Sequence, residues 1–569
     1  MRRQIRSTLR RAAAVTLLVL GSVASPSPAV AADPPYNVLV FSKTAGFRHD
    51  AIPAGIQAIR DLGAANSFTV TATEDANHFT TANLSRYRAV VFLNTTGDVL
   101  NGTQQAAFES YIGSGGGYVG VHAAADTEYD WPFYGNLVGA YFASHPAIQP
   151  ATVRVQDRAH AATAHLPQAW NRTDEWYNFR TNPRATAHVL ATLDESSYSG
   201  GSMGADHPHT WCKTASGGRS FYTGGGHSQG AYAEPAFRSH LLGGIRYAAG
   251  VSKADCRPET GYTALYNGST TGWSQSGPGG FTNTDATLSS SGGMGMLWYS
   301  ARQFTNYSLK LDWKLLGDDN SGIIVGFPPP SDPTSALDNG YEVQIDATDT
   351  TDRTTGSIYA IKAPDTAARD AALNAPGEWN TFEILVEGER LQVFLNSVKI
   401  NDFTNTNPAR SLAGHVGIQN HGTGDDVSFR NIRIKDLGGT QPGGTGPIVG
   451  IGGKCLDVRN GASADGTPVQ IASCSGVAGQ RWTVTPGSTI TALGKCLDVS
   501  GNSTANGARV QLWGCHGGGN QTWQAAADGS VRNPQSGKCL DVSGGGSADG
   551  TLVHLWSCHG GANQKWTLP

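Results

Sequence analysis

The sequence predicts a multidomain chain of three units: an α/β unit with a parallel sheet over residues 36–250, an antiparallel β-sandwich over 261–437, and a threefold β repeat over 450–569. Three observations predict it. Short apolar runs alternate with helical segments in the first region. In the second, short strands follow one another between Gly, Pro, Asn and Asp clusters. One cassette recurs three times in the last. A chain of 569 residues also exceeds what one core can organise.

The N-terminus sets the compartment. Arg2, Arg3, Arg6, Arg10 and Arg11 precede the apolar run AAAVTLLVLGSVA, and Ala29-Val30-Ala31 reads as a small-residue cleavage site. Residues 1–31 are therefore expected to be a secretory signal peptide, too short for a stable membrane span. No later run of 18 apolar residues occurs, so the expected product is a secreted, extracellular protein without a membrane span. Removing those residues leaves 36 basic side chains against 45 acidic ones. That balance argues against nucleic acid as a partner.

In the first unit, YNVLVFS, AVVFLNT and GYVGVH read as buried parallel strands. Helices are expected near Ala51–Leu62, Thr103–Ile112 and Pro235–Gly250. Ligands of such sheets bind beyond the carboxyl ends of the strands. GSGGGYVGVHAAAD sets a strand against a tight turn, with His122 where a nucleophile elbow carries its reactive residue. The pieces VFSKTAGFRHD, GGGYVGVHAAAD, YFASHP, DEWY and GGRSFYTGGGH resemble the trehalose-utilisation (ThuA-like) family. That family is similar to the flavodoxin-like class I glutamine amidotransferases. The amidotransferase cysteine is absent, so thiolate chemistry is not expected. His49, His122, His145, Asp174, Glu175 and His227 form the candidate polar site. Such residues bind a divalent ion (Zn, Ca or Mg), act in acid–base chemistry, or are structural histidines under loops. Their long spacings match no metal motif.

In the second unit, YSLKLDWKL, GIIVGF, YEVQID, TFEILVEG, LQVFLN and VSFRNIRIK read as strands, with one helical stretch near Thr366–Leu373. Alternation in YEVQID puts Glu342, Gln344 and Asp346 on one face and Tyr341, Val343 and Ile345 on the other. The same parity puts Gln419 and His421 together, and Asn320 lies in the turn DDNSG. DDNSGIIVGF, NGYEVQID, TTGSIYAI, GEWNTFEILVEG and GHVGIQNHG resemble the 3-keto-disaccharide hydrolase domain, a concanavalin-like sandwich. The resemblance implies cleavage of glycosides already oxidised at C3, by elimination and hydration. Such chemistry needs a base, an acid and an enolate-stabilising group. Glu342 is the candidate base, and Asp346 or His421 the acid or metal ligand. Gln344, Asn320 and Arg433 are the candidates to orient substrate or stabilise the oxyanion. One departure stands out: GFPPPSDP carries Phe327 and prolines where the family commonly has a basic residue.

The cassettes begin GKCLDV at Gly453, Gly494 and Gly537, with a period near 42 and 18 residues between the cysteines of each copy. They resemble a ricin-B-type β-trefoil lectin, and Gly438 to Pro447 reads as the Gly/Pro linker before it. The resemblance implies sugar contacts by Asp498, Gln511, Trp513, Asn520 and Gln521 in the second repeat. The third offers Asp541, His554, Trp556, Asn563 and Gln564. The first keeps Asp457 and Gln470 but has Ala472 for the tryptophan and Gly479 for the asparagine, so strength is expected to fall from second to third to first. Trp482, Trp523 and Trp566 are expected in the core. The resemblance also pairs Cys455 with Cys474, Cys496 with Cys515 and Cys539 with Cys558, which leaves Cys212 and Cys256 to pair by elimination. The sequence thus points to a secreted carbohydrate-active protein, with a non-catalytic glycan-binding protein as the alternative and a toxin-like lectin ranking last.

Overall fold

The computed structural model describes residues 33–437, 444–484, 489–526 and 529–569. The expected signal peptide lies outside these residues, as does most of the expected linker. Thr445–Gly446, at the linker's end, pairs with Trp482–Val484 and so belongs to the last unit.

The first sheet has nine strands, ordered Phe68–Thr73, Tyr36–Phe41, Ala89–Leu93, Gly117–Val121, Gly218–Thr223, His207–Ala215, His188–Leu193, Gln149–Val155 and Ala169–Asp174. The first five run parallel, as expected for the apolar runs. The remaining neighbours are antiparallel, so the expected parallel strands form one half of a mixed sheet. The reversal is made at Ser216 and Gly217, both at positive φ (51° and 91°). That pair of left-handed residues is the geometry of a two-residue hairpin turn. Helices Ile52–Ala65, Gly102–Gly113 and Pro235–Ala248 run close to the expected bounds.

The second unit packs two antiparallel sheets face to face. The larger centres on Val427–Asp436, Tyr307–Leu315 and Asn380–Glu387. The smaller is ordered Trp273–Ser276, Gly295–Tyr299, His415–Asn420, Asn320–Phe327 and Tyr341–Asp346. Trp313, Phe382 and Val393 meet Ile323, Val343 and Ile418 between them. Besides Thr366–Ala372 a second helix, Pro333–Asn339, interrupts the strands. Its start is signalled by Asp332, whose carboxylate accepts from Ser335 N, and by Pro333 in the first turn. Seven residues are too few for a readable apolar period. The helix covers part of the outer face of the smaller sheet, where Ala336 packs with Met296, Ile324 and Phe327. Phe327, the departure from the family pattern, is thus an anchor for this helix.

In the third unit the repeats bury Trp482, Trp523 and Trp566, whose indole N–H groups donate to the carbonyls of Leu456, Leu497 and Leu540. All four expected disulfides are present. Cys212–Cys256 fastens the first sheet to the segment entering the sandwich. Its sequence separation is 44 residues, and a cross-link of that span restricts the unfolded chain by about 4 kcal/mol in the chain-entropy model. Replacing both cysteines with alanine should lower the denaturant midpoint accordingly and raise the slope as the unfolded chain expands. An unchanged midpoint would mean that the cross-link constrains nothing the fold does not already hold.

Candidate functional site

Three strand ends deliver imidazoles to one crevice of the first unit. His49 follows Tyr36–Phe41, His122 follows Gly117–Val121, and His227 follows Gly218–Thr223 across Gly224–Gly226. His122 has φ 50°, a left-handed conformation in which a non-glycine residue is strained. Its Nδ1 lies 2.8 Å from the Gly224 carbonyl. A carbonyl only accepts, so Nδ1 carries the proton and Nε2 faces the crevice. That Nε2 lies 3.2 Å from His227 Nδ1 and 3.3 Å from Glu175 Oε2. His227 Nδ1 is 3.1 Å from the same carboxylate oxygen. The His49 ring stands edge-on to both, with centroids 5.0 Å away. His49 is only 4 % exposed, and its Nδ1 has no hydrogen-bond partner.

The electrostatics follow from this crowding. Burial first, then His122 and His227, push the His49 pKa down to about 3. Burial alone would raise Glu175, but the imidazoles of His122 and His227 beside it outweigh burial and hold the carboxyl below its usual range. His227 is raised, chiefly by its hydrogen bond to Glu175.

His145 reaches Glu175 Oε1 at 3.0 Å from the rim. Asp174 does not join the cluster. Its carboxylate pairs with Arg172 at 2.8 Å and accepts from the Gly226 and His227 amides, which fixes the loop carrying His227. Sequence reasoning missed two aromatics inside motifs it used. Tyr177 lies against His122, with centroids 4.1 Å apart, and Phe47 stands 67 % exposed beside His49.

On the smaller sheet of the sandwich, Glu342 pairs with Ile324, Gln344 with Gly322, and Asp346 with Asn320. Gln419 is one residue beyond Ile418, which pairs with the core-facing Ile323, so it shares the outer face with Glu342 and Gln344. A Cβ at Gly322 would lie 2.0 Å from Glu342 Oε1, so the glycine is what lets the carboxyl lie across its neighbour strand. Glu342 Oε1, Gln344 Oε1 and Gln419 Oε1 are buried without hydrogen-bond partners. Desolvation pushes the Glu342 pKa up to about 8. Glu342 also borders a cleft of about 630 Å³ with Tyr341, Tyr359, Phe403 and Arg410.

The other expected residues stand differently. Asp346 accepts from Asn320 Nδ2 on one oxygen and from the Thr348 and Asp349 amides on the other, so it closes a turn. Asn320 Oδ1 accepts in turn from Gln344 Nε2 at 3.3 Å. His421 lies just past its strand, largely exposed, and pairs with Asp425 at 3.1 Å. Arg433 is not brought to this face. It belongs to the larger sheet, where its guanidinium pairs with Glu259 at 2.6 Å and approaches Asp312 at 3.5 Å. The alternation in VSFRNIRIK marks Arg433 as facing away from the core but does not say which sheet that strand joins.

The second trefoil repeat forms a cup of about 500 Å³ lined by Asp498, Gln511, Trp513, His516 and Asn520 among others. Gln511 donates to Asp498 Oδ1, while Asn520 and Gln521 donate to Oδ2. Gln521 also accepts from the His516 amide and donates to the Gly514 carbonyl, so it positions the carboxylate from below. Trp513 is 41 % exposed at the rim. The third repeat repeats this around Asp541 with His554, Asn563 and Gln564, and Trp556 is similarly exposed. In the first repeat Gln470 donates to Asp457 and accepts from Arg459, and neither an indole nor a second amide completes the cup. His516 was not among the expected contacts.

Three family profiles match in order along the chain. Trehalose utilisation (ThuA) matches residues 37–248, the 3-keto-alpha-glucoside-1,2-lyase-like domain 261–435, and the ricin-type beta-trefoil lectin domain 444–566. The chain therefore carries a ThuA-like α/β domain, a 3-keto-disaccharide hydrolase-like β-sandwich and a ricin-B-type β-trefoil, and the last supports glycan binding. Nigrin b from Sambucus nigra is 36 % identical over 89 residues, which are 16 % of this chain and 16 % of that protein. The chain thus spans about a sixth of the length of this curated relative. A ThuA-like protein from Bacteroides uniformis is 24 % identical, with TM-score 0.34, over 39 % of this chain and 94 % of its own. A candidate glycosyl hydrolase from Parabacteroides distasonis is 25 % identical, with TM-score 0.28, over 31 % and 94 % respectively.

The cup geometry makes a direct prediction. Asp498→Ala combined with Asp541→Ala should abolish retention on an insoluble polysaccharide that holds the unaltered protein. Equal retention in a sedimentation assay would show that the carboxylates are not the sugar contacts.

Proposed function

We propose that this chain of ThuA-like, 3-keto-disaccharide hydrolase-like and lectin domains is a secreted protein that holds glycans through the trefoil and cleaves 3-keto-glycosides on the sandwich. The observation that carries the reading is the row of buried, unpartnered oxygens of Glu342, Gln344 and Gln419. A buried acceptor without a donor costs stability, and sugar hydroxyls are donors of the right kind. Export is supported by the four disulfides and by the absence, among the described residues, of a helix long and apolar enough to cross a membrane.

In the proposed reaction the ionised Glu342 takes the proton from C2, which the neighbouring ketone acidifies. The C2–H electrons form the enolate, and the C1–O bond then breaks, its electron pair leaving with the glycosidic oxygen. Glu342 returns its proton to that oxygen, and water adds across the resulting enone. Gln344, held by Asn320 and through it by Asp346, orients the ring. A base whose pKa lies near the working pH is well matched to this transfer. The second reading, a glycan-binding sandwich without turnover, is favoured by one observation: Phe327, at the position where the family resemblance implies a basic side chain, is buried under the helix.

Incubation with 3-keto-trehalose and 3-keto-glucosides should release monosaccharide, and Glu342→Gln should slow release by roughly 10²–10⁴-fold. The rate should rise with pH toward an inflection near the Glu342 pKa of about 8. Turnover that is absent for every keto-sugar would leave the binding reading.

Stability gives an independent check. A carboxyl whose pKa is raised on folding contributes stability that is complete below its unfolded pKa and lost as pH rises through the folded one. Glu342→Gln, neutral throughout, should therefore exceed the unaltered protein in stability at pH 9 by about 3–5 kcal/mol, and the gap should close toward pH 4. A pH-independent difference would remove the buried neutral carboxyl from the account.

A further inference from the structure

We propose that the first-domain crevice is a binding site for one Zn²⁺-class divalent ion, held by His49, His122, Glu175 and His227. One ligand atom from each of these four lies within 4.8 Å of all the others. The finer distances are more telling. His122 Nε2, His227 Nδ1 and Glu175 Oε2 form a triangle with sides of 3.2, 3.3 and 3.1 Å. Ligands about 2.0–2.1 Å from a tetrahedral zinc stand about 3.3 Å apart, so the triangle has the dimensions of one face of that tetrahedron. The His49 ring, equidistant at 5.0 Å from both other imidazoles, stands over this face.

Hydrogen-bond accounting points the same way. The Gly224 carbonyl takes the Nδ1 proton of His122, so a neutral His122 presents a lone pair inward. That lone pair faces a carboxylate oxygen at 3.3 Å, and both face His227 Nδ1. A single N–H on His227 satisfies one of the two and leaves the other opposed. Nothing serves the buried Nδ1 of His49. A cation among these side chains relieves the opposed pair, and the His49 imidazole offers it a fourth donor.

The donor set selects the ion. Three imidazoles with one carboxylate suit zinc and its neighbours, whereas calcium and magnesium require mostly oxygen ligands. The surroundings are those of a metal centre as well. The Gly224 carbonyl orients His122, Asp174 fixes the backbone of His227, and His145 engages the second oxygen of Glu175. The entry path lies at His227, whose side chain is 20 % exposed.

The test uses the full-length, disulfide-bonded protein stripped with chelator and titrated with Zn²⁺ by calorimetry, and separately with Co²⁺ by visible absorbance. One Zn²⁺ per chain with submicromolar affinity is expected, along with the intense d–d bands of low-coordinate Co²⁺. His49→Ala and Glu175→Gln should weaken zinc binding by roughly a hundredfold or more, while His78→Ala, outside the crevice, leaves it intact. Affinity that stays weaker than micromolar, or a stoichiometry that survives in both ligand variants, would overturn the proposal. If a ligand variant does not fold, the cobalt spectrum of the unaltered protein decides: weak octahedral bands, or none, refute the site.

Discussion

A polar atom taken out of water has to be paired, and most of this structure is arranged around that requirement. The trefoil repeats it three times, each core indole donating to a strand carbonyl 26 residues earlier. In the first domain the Asp174 carboxylate is satisfied by three backbone amides and Arg172. Among the described residues twelve buried side-chain atoms stay without a hydrogen-bond partner, and four of them gather at the two candidate sites. His49 Nδ1 lies beside two other imidazoles, and three side-chain oxygens line one face of the sandwich.

The same requirement explains Arg433. A guanidinium on the outer face of the larger sheet is buried where the first domain meets it, and it is matched by Glu259 and Asp312. Lys310 pairs with Asp255 and Glu259 nearby, and His188 pairs with Asp157. Buried ion pairs return little net stability, because desolvation offsets their attraction, but a mispaired arrangement is costly. The pairs that join the two domains directly are Arg158–Asp285 and Arg246–Glu378, and they act mainly against alternative dockings; Cys212–Cys256 works in the same direction through the chain.

Much of this was legible in the sequence because strand parity and Gly-rich strand ends are local signals. Alternation alone groups Glu342 with Gln344 and, on another strand, Gln419 with His421, and the glycines before His122 mark a sharp strand end. That Gln419 shares the face of Glu342 follows only from the strand pairing. What stayed illegible was non-local. The antiparallel half of the first sheet depends on a hairpin turn whose residues, Ser216 and Gly217, are ordinary loop residues in isolation. Arg433 obeys the right parity on a strand of the other sheet. His421 falls one residue past the end of its strand, where parity no longer governs direction. The importance of Gly322 is invisible until the Glu342 carboxyl is seen lying on it.

The trefoil cups and the sandwich face divide the work by how much of their hydrogen-bonding capacity is already used. Asp498 Oδ2 accepts from Asn520 and Gln521, and Oδ1 from Gln511, so little of the carboxylate's capacity remains for a ligand. Under the proposed function such a cup would gain most of its energy from the exposed Trp513 face and a few hydroxyl contacts. A single cup of this kind binds weakly, and two similar ones on the second and third repeats make a repeating glycan the ligand that benefits, because the second contact is intramolecular. The sandwich face is the reverse case: its oxygens are buried and unused, so in the proposed reaction it would discriminate by which hydroxyls and which acidic proton are presented to it. On the reading proposed here, weak multivalent attachment keeps the protein on a polymer without fixing it to one residue, and the selective chemistry is left to the face that has kept its acceptors free.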